Sequence, residues 1–251
     1  MWILKKIVDV VFMVPLWVYY LIGFPLVFLP CYVVVYLFSR EKETHFQRLN
    51  TCFHRIFFRL MSAVNPGLQI EIPEEVRNIR SSVIIANHIS YLDPLLLVSI
   101  FKCHKSIVKQ TFFRVPLFGW ILKNSGFIAP NIRNDSNESM EEWLNGLESY
   151  FADGGNLFVF PEGTRSRDGR VGNFEKGAFK IARKCGVPIA LLFIRNTNKV
   201  FPIGGYLFRT CVRNTIKVER IARIEPERIN SAATLNSLVE NAKQLYFKIG
   251  S

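Results

Sequence analysis

His88 and Asp93 stand five residues apart in Asn87-His88-Ile89-Ser90-Tyr91-Leu92-Asp93-Pro94. An imidazole held by a carboxylate can take a proton from a substrate hydroxyl, the carboxylate fixing the ring tautomer and stabilising the imidazolium. On one straight helix five residues turn through about 140°, so the two side chains would face apart. They can meet only if His88 lies on a turn and Asp93 lies in the first turn of a helix. Ser90 suits that geometry as an N-cap, and acidic Asp93 three residues later completes a capping box. The spacing is common, however. For an isolated pair the plainer reading is a capping Asp and a loop His.

A second cluster changes that balance. Val159-Phe160-Pro161-Glu162-Gly163-Thr164-Arg165-Ser166 follows an apolar stretch, Asn156 to Phe160, that reads as a buried strand. Gly163 allows the backbone to approach a ligand closely. Arg165 presents a fork of donors matched to phosphate. Arg167, Arg170, Lys176 and Lys180 add positive field. A turn carrying a solvated charge run is the bland alternative. Glu162 comes 74 residues after His88, and both motifs directly follow predicted strands.

The elements that must position these residues alternate. Leu68 to Ile72, Ser82 to Ala86, Lys105 to Lys109, Asn156 to Phe160, Val187 to Arg195 and Thr215 to Ile221 read as strands. Helices are expected at Ser90 to Ile100, Pro116 to Asn124, Ser139 to Asp153, Lys176 to Lys184 and Thr234 to Phe247. Such alternation predicts an α/β domain, a mixed sheet flanked by helices, over residues 65–251. Asn65-Pro66-Gly67 marks its start.

Residues 1–64 read differently. From Ile7 to Phe38 the only charged residue is Asp9, and Pro15, Pro25 and Pro30 interrupt the run. A single helix of that length would measure roughly 48 Å against a hydrocarbon core of about 30 Å. The expectation is two arms, Ile7 to Ile22 and Pro25 to Phe38, forming a membrane-associated helical hairpin that dips into one leaflet. Two thin spans are the alternative. Lys5, Lys6, Arg40 and Lys42 flank the run and favour both ends on the cytoplasmic face. His45 to Ser62 has an apolar stripe of Phe46, Leu49, Phe53, Ile56, Phe57 and Leu60. It predicts an amphipathic helix, either packed on the protein's own core or lying in the interface with Arg48, Arg55 and Arg59 on lipid phosphates.

Composition agrees with a lipid setting. The 251 residues are 49% hydrophobic, include 22 Phe, and carry a formal net charge of +12. Anionic lipid accounts for charge and hydropathy together, whereas no metal-binding Cys/His spacing or helix-turn-helix punctuation points to nucleic acid. The five cysteines are odd in number and lack CxxC spacing, which reads as reduced thiols. Cys103-His104 invites a nucleophile-base reading, but sequence neighbours rarely have that geometry.

Taken together, the chain from Val83 to Ile194 resembles the glycerolipid acyltransferase family, which includes lysophosphatidate acyltransferase. The family's NHxSxxD pattern is matched at Asn87, His88, Ser90 and Asp93, and FPEGTRS is matched in full at Phe160 to Ser166. Its Lys ahead of a Phe-x-x-Pro segment resembles Lys109 ahead of Phe113 and Pro116, and its Val-Pro-Ile element resembles Val187-Pro188-Ile189. The resemblance implies transfer of a fatty acyl group from a thioester to a lipid hydroxyl. His88 acts as general base, and Asp93 orients it. Glu162 and Gly163 shape the site, Thr164 and Arg165 hold the acceptor phosphate, and Lys109 stabilises the oxyanion. No cofactor is implied, the donor being acyl-CoA or acyl-acyl carrier protein. The expected product is phosphatidate, from 1-acylglycerol-3-phosphate. The segment Gly126 to Arg133 departs from the family pattern: Asn131 takes the acidic place and Arg133, the expected acceptor contact, comes one residue late. That departure leaves lyso-ornithine lipid, another lysophospholipid or glycerol 3-phosphate open as acceptor. A non-catalytic binder of anionic membranes is the reading from another class.

Overall fold

The computed structural model describes every residue except 1, 130–139, 164–171, 173, 203, 205–206, 211–212, 232–233 and 251. In chain order, α1 (Trp2–Val18), a π-helical stretch (Tyr19–Phe28), α2 (Leu29–Phe38) and α3 (Lys42–Val64) come first. Next are β1 (Leu68–Glu71), α4 (Glu74–Arg77), β2 (Ser82–Ala86), α5 (Leu92–Ile100), β3 (His104–Ser106), α6 (Gln110–Phe113) and α7 (Phe118–Asn124). Then follow α8 (Met140–Ala152), β4 (Asn156–Val159), α9 (Gly177–Cys185), β5 (Ile189–Arg195) and α10 (Thr197–Val200). The chain closes with β6 (Asn214–Ile224), α11 (Pro226–Ser231) and α12 (Leu235–Gly250). The class is α/β, a mixed sheet flanked by helices. Two compact units share the chain. One takes Met1–Pro73, Ile89–Lys102 and Ile194–Val218, and the other takes Glu74–His88, Cys103–Phe193 and Glu219–Ser251.

In the first unit the expected break at Gly23-Phe24-Pro25 is absent. Helix runs from α1 through the π-helical stretch into α2 without interruption. Proline has no N–H, and its ring crowds the carbonyl four residues back. A wider turn relieves both problems, and the Leu29 N–H donates to Phe24 O, five residues back. Lys6–Phe38 thus forms 33 helical residues, long and apolar enough by length and composition to cross a membrane. The expected hairpin of Ile7 to Ile22 and Pro25 to Phe38 does not form; both arms belong to one helix, and the chain turns instead at residues 39–41 into α3. Ring contacts pair Tyr32 with Phe46, Phe28 with Phe53 and Tyr20 with Phe57, the order expected of antiparallel helices. Val10, Val14, Trp17, Leu21, Leu26 and Leu37 remain exposed on the long helix.

Half of the expected stripe on α3 is buried, at Phe46, Phe53 and Phe57; Leu49 and Leu60 are half-buried and Ile56 is exposed. Arg55 is not available to lipid phosphate. Its guanidinium donates to Ser99 O (2.7 Å) and Ile100 O (3.0 Å) at the end of α5. Thr51 Oγ1 donates to Phe101 O (2.8 Å) beside it. Helix carbonyls at a C-terminus have no partners within the helix, so these side chains complete α5 from outside. β1 pairs in parallel with the start of β6, Leu68 opposite Asn214 and Glu71 opposite Lys217.

The second unit is built on four strands in the order β5-β2-β4-β3, with parallel pairing throughout. Ser82–Ala86 is buried at every position, as is β5 up to Ile194. That explains why these strands read as continuous apolar runs and not as alternating ones. Helices α8, α9 and α12 supply Phe151, Phe179 and Tyr246 to the core beside the sheet. The Tyr246 hydroxyl lies 2.7 Å from Ile85 O and 3.0 Å from Leu192 O, and its single proton serves one carbonyl at a time. Asn156 fixes the start of the sheet. Its Oδ1 accepts from Ser82 N (3.2 Å) and its Nδ2 donates to Ile79 O (2.9 Å).

Candidate active site

In the second unit β2 and β4 run side by side, with Ile85 opposite Val159. The chain therefore leaves both strands at the same carboxyl-terminal edge, the usual place for ligands in parallel sheets. His88 emerges from one strand and Phe160 to Gly163 from the other. The His88 ring stacks on Phe160, with centroids 4.3 Å apart and planes at 26°. Its backbone N–H donates to Glu162 Oε1 (3.2 Å). The other oxygen of Glu162 accepts from Gly172 N (3.1 Å). One carboxylate thus ties the His88 turn to the loop beyond its own motif. Gly163 has φ +63°, and its N–H donates to Phe160 O (3.2 Å). A Cβ there would meet nothing within 4 Å. Glycine is required by the left-handed backbone of the turn, not by close approach of another group. Lys109 is exposed, at the residue preceding α6. Thr164, Arg165 and Arg133 lie outside the described residues.

The second unit ends this stretch at His88, and Ile89 begins the first unit's second segment. There Asp93 is fully buried. Its Oδ2 accepts from Ile89 N (2.6 Å) and Ser90 N (2.7 Å), and its Oδ1 accepts from Thr197 Oγ1 (2.6 Å). The reach back to Ser90 N is the expected capping box. The serine half is shifted by one residue, because Ser90 Oγ accepts from Leu92 N (3.3 Å). A buried carboxylate is tolerated only when paired and hydrogen-bonded, and three donors of this kind meet that need.

Sequence reasoning missed Thr197. It lies 104 residues from Asp93, just after β5, and follows Asn196 in the left-handed conformation with φ +66°. An Arg-Asn-Thr step after an apolar strand signals a turn, but nothing in it names a partner. Ser90 Oγ also donates to Phe201 O (2.9 Å), so the loop after α10 holds the same turn a second time.

The cysteines offer no better nucleophile. Burial pushes the Cys185 thiol up to about 11, away from thiolate at neutral pH. His104 is fully buried, its ring against Phe127 and Phe158, which places it in packing beside Cys103.

Residues 67–194 match the family model described as Acyltransferase. The chain belongs to the acyltransferase family. Within the acyltransferase family, it is 36% identical over 166 residues to a chloroplastic 1-acyl-sn-glycerol-3-phosphate acyltransferase of Brassica napus, covering 64% of this chain and 47% of that one. It is 31% identical over 156 residues to the 1-acyl-sn-glycerol-3-phosphate acyltransferase of Borreliella burgdorferi, covering 59% of this chain and 61% of that one. The chain spans about half the length of the plant relatives it matches, 47% and 44%. The crystal structure of the 1-acyl-sn-glycerophosphate (LPA) acyltransferase PlsC from Thermotoga maritima superposes with a TM-score of 0.73 at 19% identity, over 98% of this chain and 96% of that one. This last likeness is one of fold.

Proposed function

We propose that the protein is an O-acyltransferase that moves a fatty acyl group from a thioester to the free hydroxyl of 1-acylglycerol-3-phosphate, giving phosphatidate. The observation that carries this reading is the pairing of the two motifs on neighbouring strands, with the His88 turn and the Phe160 to Gly163 turn leaving one sheet edge. The names of the plant and bacterial relatives supply the acceptor.

The chemistry needs no enzyme nucleophile. His88 takes the proton from the acceptor hydroxyl as its oxygen attacks the thioester carbonyl carbon. Asp93 holds the imidazole tautomer and stabilises the imidazolium that forms. The carbonyl oxygen becomes an alkoxide, and Lys109 offsets that charge. The intermediate then collapses, the carbon–sulfur bond breaks, and the departing thiolate takes the proton from His88. Thr164 and Arg165 hold the acceptor phosphate, with Arg133 as a further contact. Glu162 and Gly163 set the shape of the turn that faces the substrate. The donor is a phosphopantetheine thioester, on coenzyme A or acyl carrier protein. The N-terminal helices associate with the membrane at its cytoplasmic face, where donor and lipid acceptor meet.

The test is direct. Purified protein in lipid nanodiscs, given lysophosphatidate and an acyl-CoA, should release thiol, and His88→Ala should reduce that release by orders of magnitude. Equal rates for the two proteins would sink the reading. The unusual segment from Gly126 to Arg133 motivates a second acceptor reading: lyso-ornithine lipid, another lysophospholipid or glycerol 3-phosphate. A panel of those acceptors decides between them, and a clear preference for lysophosphatidate removes the second reading.

A further inference from the structure

The second unit carries an apolar tip that the proposed chemistry leaves unused. Between α6 and α7 the chain turns through Arg114, Val115, Pro116 and Leu117. Phe112, Val115, Leu117 and Phe118 are 42%, 45%, 40% and 44% exposed. They cluster: the Phe112 and Phe118 rings meet edge to face with centroids 6.1 Å apart.

The turn is also a strained one. Leu117 has φ +63° and ψ −52°, and the Phe118 N–H donates to Pro116 O (2.6 Å) across it. This is a γ-turn of the unfavourable sign, which a leucine rarely adopts. Gly119 makes the geometry possible, because a Cβ there would stand 2.1 Å from Phe113 O. A fold that holds a large aliphatic side chain in a strained turn and points it into water is maintaining a surface that meets something apolar.

The charge around the tip says what that is. From Pro94 to Asn134 the chain contains no Asp or Glu, but it carries Lys102, Lys105, Lys109, Arg114, Lys123 and Arg133. Arg114 and Lys123 flank the tip and are exposed. Apolar residues flanked along the chain by cations, with no Asp or Glu in the segment, match a bilayer surface with acidic headgroups: acyl chains take the apolar residues, and phosphates take the cations. A protein partner would more often present mixed charge at its rim. The first unit's exposed apolar helix indicates that such a surface is available to this chain.

We propose that residues 110–122 form a second membrane contact, made by the second unit itself, which inserts Phe112, Val115, Leu117 and Phe118 into an anionic lipid surface. The contact is independent of which acceptor the enzyme uses. It places Lys109, one residue before α6, at the level of the headgroups.

The experiment uses the full chain in vesicles of phosphatidylcholine and phosphatidylglycerol. The native cysteines are replaced by serine, and a single nitrobenzoxadiazole-labelled cysteine is placed by Leu117→Cys. A control label in the same unit uses exposed Asp153→Cys. Lipids spin-labelled on the acyl chain should quench the label at 117 several-fold more than the label at 153, and aqueous iodide should show the reverse order. Omitting phosphatidylglycerol should weaken the lipid quenching. Equal behaviour of the two positions overturns the proposal. Protection of position 117 from both quenchers also overturns it, by pointing to a protein partner such as a second copy. Should the serine background fail to fold, benzoylphenylalanine in place of Phe118 in the native-cysteine chain gives the same answer. Photolysis should yield phospholipid adducts, and protein–protein adducts alone would refute the contact.

Discussion

Thr197→Val isolates the hydroxyl that braces Asp93. Valine keeps the shape of threonine and removes the hydroxyl. Thr197 Oγ1 donates to Asp93 Oδ1 at 2.6 Å, and both side chains are fully buried. Water cannot readily replace the lost donor. A hydrogen bond to a charged group contributes about 1.5–3 kcal/mol, and an unsatisfied buried group costs a similar amount. We therefore expect a loss of about 2–3 kcal/mol. For a chain of this size each kcal/mol shifts the melting midpoint by about 2–4 °C, so the expected fall is roughly 4–12 °C. Thr197→Ser retains the hydroxyl and should recover most of it, since only a methyl is lost. The assay is thermal unfolding in one detergent at a fixed scan rate, with thiol release measured alongside. The valine variant should lose kcat more than KM, because in the proposed reaction Asp93 serves the proton transfer and not lipid binding. A valine variant that melts with the wild type refutes the bracing role. A serine variant that falls as far as valine would show that packing, not the hydroxyl, holds the site.

Tyr246→Phe keeps the ring and strips the donor from Ile85 O and Leu192 O. It should cost about 1–3 kcal/mol, read as a fall of several degrees in melting midpoint. Glu162→Gln leaves one of its two backbone donors, His88 N or Gly172 N, facing an amide N–H. Thiol release should drop by about tenfold, equivalent to about 1.4 kcal/mol, while the melting midpoint moves little. Burial drives the His54 imidazole down from 6.5 to about 4, against a backbone hydrogen bond to Asn50 O that favours the proton. The folded chain therefore keeps His54 neutral while the unfolded chain protonates it. That contribution is fully present above pH 6.5 and is lost as pH falls towards about 4, by roughly 1–3 kcal/mol. His54→Gln should flatten that part of the stability–pH curve, and an unchanged slope would exclude His54 as its source.

Legibility varied with the range of the interaction. Ser82–Ala86 and Asn156–Val159 were readable because buried parallel strands appear as unbroken apolar runs. The Ser90 to Asp93 capping box was readable because its partners are three residues apart. Pro25 misled because proline in a helix normally means a break, and only the wider π turn lets the helix continue. Arg55 was ambiguous because its sequence position on the polar face says nothing of the α5 carbonyls that take it. Thr197 was invisible for a related reason. Its partner is 104 residues away, and no local pattern encodes a contact at that distance.

The lone acid of the first helix carries a consequence for the order of synthesis. Asp9 Oδ1 accepts from the backbone N–H and the hydroxyl of Thr210, each at 2.7 Å, across 201 residues of sequence. At about 5–20 residues per second, Thr210 leaves the ribosome roughly 10–40 s after Asp9. For that interval the apolar helix holds a carboxylate with neither of its final donors. Deep insertion would strip that charge of water at a cost of several kcal/mol. Should the nascent helix meet a bilayer in that interval, the uncovered charge disfavours deep insertion until the last third of the chain arrives to take it.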